Sequence, residues 1–260
     1  MLDWLDVTDL SFNALLLLEH IQLSWLPGWV AEAEFGIALR ANPAVAWYAR
    51  HKCPQIAEWV DGVLAQALAS ATPEAIRAAE VYILRQLNDI ILYVVEPARY
   101  DEQPFLGWDD AELTALVDFA GQTVIDVGAG AGRLAFVAAA RGAEAVVAVE
   151  PVARLRRYIL EKARARGLDN VFAVDGLLEA IQLPNALADV TLGGHVFGEY
   201  LEDEYAELMR VTRPGGMIIL CPGNNDVDNA IHEFLVARGF QWARFEEPVD
   251  GMKRKYWKTR

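Results

Sequence analysis

Cysteine is scarce in this chain of 260 residues: there are two, Cys53 and Cys221, far apart. No disulfide framework or zinc-ligand spacing can be built from them, and a reducing cytoplasm is the expected compartment. Histidine is equally sparse. His20, His51, His195 and His232 show no ligand spacing, so no metal site is expected. Positive charge is in deficit, with 23 Lys and Arg against 37 Asp and Glu and a formal net charge of −14. Phosphate backbones repel such a chain, which disfavours nucleic-acid partners. The one dense basic stretch, KRKYWKTR at the C-terminus, alternates like a strand with one charged face. No apolar run approaches the roughly 20 residues a membrane span needs. ALLLL (14–18) is stopped by Glu19 and His20 and reads as the buried face of a helix, and the acidic N-terminus lacks the basic start of a signal peptide.

What is present is apolar and ordered by pattern. Hydrophobic residues make up 54% of the chain, ample for a sizeable core. Up to about residue 110 the pattern is helical. Pro43, Pro54 and Pro73 suit first turns, and Asn42 and Thr72 suit caps. The spacing predicts helices near 10–24, 29–40, 43–51, 54–69, 73–95 and, after a Pro- and Gly-containing connector over 96–108, 109–119. Trp25, Trp29, Trp47, Tyr48 and Trp59 are expected mostly in the core of this region. After Gly121 short β-branched runs alternate with helices. Strands are predicted at 123–127, 145–149, 171–175, 189–193 and 216–221, with helices over 132–141, 151–166 and 226–238. That alternation implies a parallel sheet covered on both faces. The last two runs, 240–247 and 252–259, are too close for a crossover and form an antiparallel edge pair. The expected division is a helical region, 1–108, and an α/β domain, 109–260.

VIDVGAGAG (124–132) carries the chemistry. Asp126 interrupts a hydrophobic strand, and Gly128, Gly130 and Gly132 follow at alternate positions. In a doubly wound sheet ligands bind where such strands end, and glycines let a ligand approach the backbone closely. The third glycine of a dinucleotide fingerprint is missing, because Arg133 stands there. A carboxylate ahead of the loop also suits a cationic ligand better than a pyrophosphate. Glu150 closes the second strand, where an acid can accept from ribose hydroxyls.

VIDVGAGAGRL, VVAVEP, VFAVDG and RVTRPGGMIIL, in that order, resemble the class I S-adenosylmethionine-dependent methyltransferases, which are Rossmann-like. The resemblance covers roughly 110–260. It implies a doubly wound seven-stranded, mostly parallel sheet with the last strand antiparallel, here preceded by an all-α N-terminal region. It implies S-adenosyl-L-methionine as cofactor and S-adenosyl-L-homocysteine as product. Asp126 with the backbone at Gly128 and Gly130 would hold the methionine end, and Glu150 the ribose. Asp175, Gly176 and Leu177 would face the adenine, and Gly193 would border the cofactor. After the fourth strand, Gly193-Gly194-His195 replaces the Asn/Asp-Pro-Pro-aromatic motif of members that methylate base or amide nitrogen. A small-molecule acceptor is therefore expected, its O, S, N or C atom open, with His195 and Tyr100 as catalytic candidates. The helical region would select the acceptor or form a homodimer. A cofactor-binding sensor or scaffold without turnover, and a protein or RNA methyltransferase, are the alternatives. A nicotinamide-dependent oxidoreductase is the least favoured.

Overall fold

The computed structural model describes residues 4–260. The chain divides into two compact units, Met1–Pro97 and Ala98–Arg260. The division falls ahead of the expected 108/109 boundary, and the connector from Ala98 onward lies with the second unit.

The first unit is helical, and its breaks have local causes. Over 10–24 there is not one helix but a 3-10 helix, Phe12–Leu17, followed by His20–Ser24. Between them Glu19 and Gln22 form a reciprocal capping box that starts the second piece. Glu32–Ala41, Pro43–Lys52 and Ala57–Gln66 follow. The long helix expected over 73–95 is two, Pro73–Gln86 and Asn88–Val95, with Leu87 non-helical between them. Asn88 is fully buried. Its Oδ1 accepts from the backbone of Trp4 and Leu5, and its Nδ2 donates to Leu5. A buried amide needs such partners. The tryptophans correct the expectation. Trp29 and Trp47 are 52% and 57% exposed, and the core is built instead from Phe12, Leu15, Leu18, Phe35, Leu39, Ile83 and Leu84. Among the described residues no helix is long and apolar enough to cross a membrane.

The second unit is a seven-stranded sheet. Its strands are β1 (Thr123–Val127), β2 (Ala145–Val149), β3 (Val171–Val174), β4 (Ala188–Gly193), β5 (Thr212–Asn225), β6 (Gln241–Glu247) and β7 (Gly251–Thr259). Their order is β3-β2-β1-β4-β5-β7-β6. β1 to β5 are parallel, and β7 runs antiparallel to both β5 and β6. The sheet winds outward from β1 to β3, then restarts at β4 on the other side. The crevice at the carboxyl ends of β1 and β4 is thus the topological switch point.

Side chains alternate along β1. Val124 packs on the face covered by helices Arg133–Ala140 and Ala153–Ala165. Ile125 and Val127 pack on the face covered by Leu201–Val211 and Ala230–Ala237. Asp126 falls on the first of these faces. The helix expected over 109–119 shrinks to Ala111–Thr114. Leu201–Val211 was not among the expected helices, although three acids in its first turn and Arg210 in its last mark its ends.

The basic C-terminal run is not a solvated face. Lys253, Arg254 and Lys255 are 7%, 3% and 7% exposed. Lys253 Nζ donates to Asn225, Arg254 to Asp226 and Asp228, and Lys255 to the backbone and carboxylate of Glu112. Buried charges demand such partners, and acids supply them on both faces of β7.

Candidate functional site

A cleft of about 440 Å³, counting its open mouth, lies at the switch point and is lined by Tyr100, Trp108, Asp126, Gly128, Gly130 and His195 among others. β1 delivers Asp126 beneath the first turn of Arg133–Ala140, where Oδ2 accepts the Ala135 N–H at 2.9 Å. Helix N-termini leave such donors unpaired and favour negative charge. The other oxygen, Oδ1, is buried with no hydrogen-bond partner among the described residues. Burial, with Glu150 nearby, raises the pKa of Asp126 to about 7. An orphaned acceptor of this kind is satisfied by a donor, best a cationic one.

The glycine turn is wound so tightly that four of its N–H groups are spent within the protein. Gly128 and Ala129 both donate to Val149 O, Gly130 donates to Glu150 Oε2, and Gly132 to Ala129 O. Phosphate loops keep such N–H groups for the anion. Here the cleft presents a carboxylate instead, which is a physical reason beyond the missing third glycine to exclude a pyrophosphate. Gly128 and Gly130 have φ of +63° and +56°, and a Cβ at Gly130 would stand 3.0 Å from Tyr100 Oη. Glu150 is buried, and its other oxygen accepts from Val152 N–H at 2.9 Å. Burial likewise raises its pKa to about 7. It thus locks the loop to the end of β2.

The remaining expected residues are placed as follows. Asp175 follows β3, is 74% exposed and pairs with Arg156 Nη1 at 2.9 Å. Arg156 also donates to the Glu150 carbonyl, so it ties the ends of β2 and β3. Gly176 and Leu177 follow, with Leu177 bridged to Ala180. Gly193 is buried behind Val196, whose Cγ1 would lie 2.9 Å from any Cβ there. The cleft lining brings together Tyr100, Asp126, Gly128, Gly130 and His195 and does not include Glu150, Asp175, Gly176, Leu177 or Gly193.

His195 leaves β4 through Gly194 with φ +56°, a left-handed conformation a non-glycine residue adopts at some cost. Its N–H donates to Pro222 O at 2.8 Å, which holds the turn against the end of β5. Its Nε2 lies 2.7 Å from Glu247 Oε1. Burial lowers the pKa of the imidazole, while Glu247 opposes that shift. The Phe105 ring stands nearly perpendicular to that of His195, with 5.7 Å between centroids. Beyond this turn the wholly engaged Glu204 carboxylate accepts from the N–H groups of Gly198, Glu199 and Tyr200, which orders the loop after His195.

Arg133, read from sequence only as a departure from a fingerprint, holds the connector. It donates to the carbonyls of Leu106 and Trp108 and pairs with Asp110 at 2.6 Å. Asp101 is fixed in turn by Lys162 at 2.5 Å and by the hydroxyl of Tyr158 at 3.0 Å. These contacts carry Tyr100 and Trp108 to the cleft. The sequence reading missed Glu247, Phe105, Cys221 and Pro222, which stand at or beside the cleft. Only the carboxyl-end rule could have pointed to Glu247, since β6 runs parallel to β4 and the two end on one side of the sheet.

Residues 124–216 match the family described as methyltransferase domain. The ribosomal protein L11 methyltransferase of Sorangium cellulosum is 35% identical over 103 residues, 38% of this chain and 31% of that protein. The histone-arginine methyltransferase CARMER of Aedes aegypti is 29% identical over 132 residues, 49% of this chain and 22% of that one. The chain therefore spans less than a third of the length of these curated relatives. The crystal structure of a SAM-dependent methyltransferase from Aquifex aeolicus shares the fold, with a TM-score of 0.50 and 20% identity across 62% of this chain and 95% of the other. The α/β unit thus carries a match to the methyltransferase domain over residues 124–216 and has the fold of an S-adenosylmethionine-dependent methyltransferase.

Proposed function

We propose that this chain transfers a methyl group from S-adenosylmethionine to a small acceptor, with His195 taking the acceptor's proton. The observation that carries the reading is the cleft itself. An unpartnered buried carboxylate oxygen and a donor-depleted glycine turn stand in the same space as an imidazole. Asp126 would hold the ammonium of the cofactor against the Gly128–Gly130 turn, and Glu150 the ribose. Asp175, Gly176, Leu177 and Gly193 would border the adenine side. The exposed Arg156–Asp175 pair contributes little to stability and yields readily to a ligand. The bound cofactor supplies an electrophilic methyl group on a sulfonium, so the protein's work is alignment and, for a protic acceptor, proton removal. Tyr100 positions over the glycine turn. The helical region 1–108 serves acceptor choice or self-association.

The test is release of S-adenosylhomocysteine from labelled cofactor by the full chain with small phenols, thiols and amines. His195→Ala should lower turnover by roughly 10²–10⁴-fold with cofactor affinity nearly unchanged. Tyr100→Phe should have a smaller effect. Loss of cofactor affinity in His195→Ala would assign the histidine to the cofactor pocket instead. A protein acceptor is the second reading, because both curated relatives are named for one. Label appearing on ribosomal protein L11 or a histone, and on none of the small acceptors, would favour it.

A further inference from the structure

His195 does not stand alone at the end of β4. Glu247, the last residue of β6, has a side chain with no exposed surface. Oε1 lies 2.7 Å from His195 Nε2. Oε2 receives no hydrogen bond among the described residues, and Lys253 Nζ lies 3.3 Å from it. A carboxylate in such a place is costly to desolvate, and a well-packed apolar residue would often serve stability as well or better. Its partners explain it. β6 and β7 meet at the turn 248–250, which sets Glu247 and Lys253 on the side of the sheet where β4 ends. Lys253 is itself 7% exposed and anchored on Asn225 Oδ1 at 2.7 Å, so the ammonium is fixed.

A buried carboxylate accepts hydrogen bonds and does not donate them. Nε2 of His195 must then carry the hydrogen that bridges to Glu247, which leaves Nδ1 as the basic nitrogen. We propose that Glu247, with Lys253 behind it, is the positioning residue that fixes His195 in this tautomer and stabilises it once protonated. This rests on the reading of His195 as the base. It adds a substrate class: acceptors that carry a lone pair and give up a proton on methylation, such as hydroxyls and thiols. The acceptor's X–H proton goes to Nδ1 as its electron pair forms the bond to the methyl carbon, and the C–S pair stays with sulfur. The resulting imidazolium faces Glu247 and Asp250 as counter-charges, with Lys253 opposing them. The Phe105 ring packs perpendicular to the imidazole and adds an apolar neighbour.

The test needs no acceptor. Long-range nitrogen–proton NMR on the full chain reads the tautomer and titration midpoint of His195. The wild type should show hydrogen on Nε2. Glu247→Gln keeps an acceptor but loses the charge, so the tautomer should persist while the midpoint falls by about one pH unit or more. Lys253→Met removes the opposing cation and should raise it. Hydrogen on Nδ1 in the wild type, or a midpoint unmoved in both variants, overturns the proposal. Turnover separates the two readings. If His195→Ala leaves methyl transfer intact while the midpoints shift as expected, the base assignment fails and the positioning contact stands. If His195→Ala abolishes transfer and the midpoints do not move, the base stands and Glu247 has no part in it. With both in place, the acid limb of the pH–rate profile should move down with the midpoint in Glu247→Gln.

Discussion

The guanidinium of Arg133 lies 4.5 Å from the centroid of the Trp108 ring and donates to the Trp108 carbonyl at 2.7 Å. One side chain at the start of the first helix after the glycine turn thus fastens the connector to the α/β unit.

Arg133→Met should loosen that connector. The carbonyls of Leu106 and Trp108 lose their donor and Asp110 its partner, a loss of about 1–3 kcal/mol. Hydrogen exchange should speed up over 98–110 and stay unchanged in the central strands. Unchanged exchange in the connector would show that Lys162 and Tyr158 hold it without Arg133.

Asp126→Asn removes the charge and keeps the shape. Cofactor affinity should fall by roughly 1–3 kcal/mol, as for loss of a charge-assisted hydrogen bond. Wild-type binding near pH 7 should release protons, because a cationic ligand favours the ionised carboxylates of Asp126 and Glu150, each with its pKa raised to about 7. Calorimetry in buffers of different ionisation enthalpy measures that release, which the variant should reduce. Equal affinity and equal proton release in both would remove Asp126 from the binding site.

The same two acids give the unliganded protein a pH signature. Their folded pKa values lie above their ordinary ones, near 4. Across that window the folded state holds protons that the unfolded chain gives up, so this contribution to stability is present at low pH and is lost as pH rises to about 7. Subtracting the urea stability of Asp126→Asn cancels most other groups. The wild-type excess should decline between pH 5 and 7.5, by at most about 1.4 kcal/mol per pH unit for one proton. A flat or rising difference would contradict the buried, protonated Asp126.

Two glycines should respond differently to alanine. Gly167 and Gly128 have φ of +67° and +63°, but a Cβ at Gly167 meets open space while one at Gly128 would stand 2.5 Å from Val196 Cγ2. Gly167→Ala should cost only the backbone penalty, about 1–2 kcal/mol. Gly128→Ala should cost more, and Val196→Ala should recover part of the excess. Equal melting temperatures for the two single variants would mean that Val196 moves aside freely.

The strands and their order of use were legible in the sequence because most are short β-branched runs bounded by turn residues, although β5, expected over 216–221, extends from Thr212 to Asn225. Asp126 and the glycine turn were legible because they adjoin one another in the chain and a charge inside a buried strand is conspicuous, and Glu150 was legible because it closes the next strand. Leu87 was missed as a break because it continues the apolar helical spacing on both sides. Beside the break stands Asn88, whose side-chain partners Trp4 and Leu5 lie more than eighty residues away in sequence.

The sequence by itself determined the local chemistry: which strand carries the acid, where the backbone must take positive φ, and that the last two strands form a hairpin. Only the tertiary structure decided which groups meet. The pairing of His195 with Glu247, 52 residues apart, depends on β6 and β4 ending on the same side of the sheet. The burial of Lys253, Arg254 and Lys255 depends on acids contributed by segments outside β7. Alternation along a strand reports which residues share a face. It cannot report whether that face meets water or a carboxylate, because the free energy of burying a charge is set by its partners.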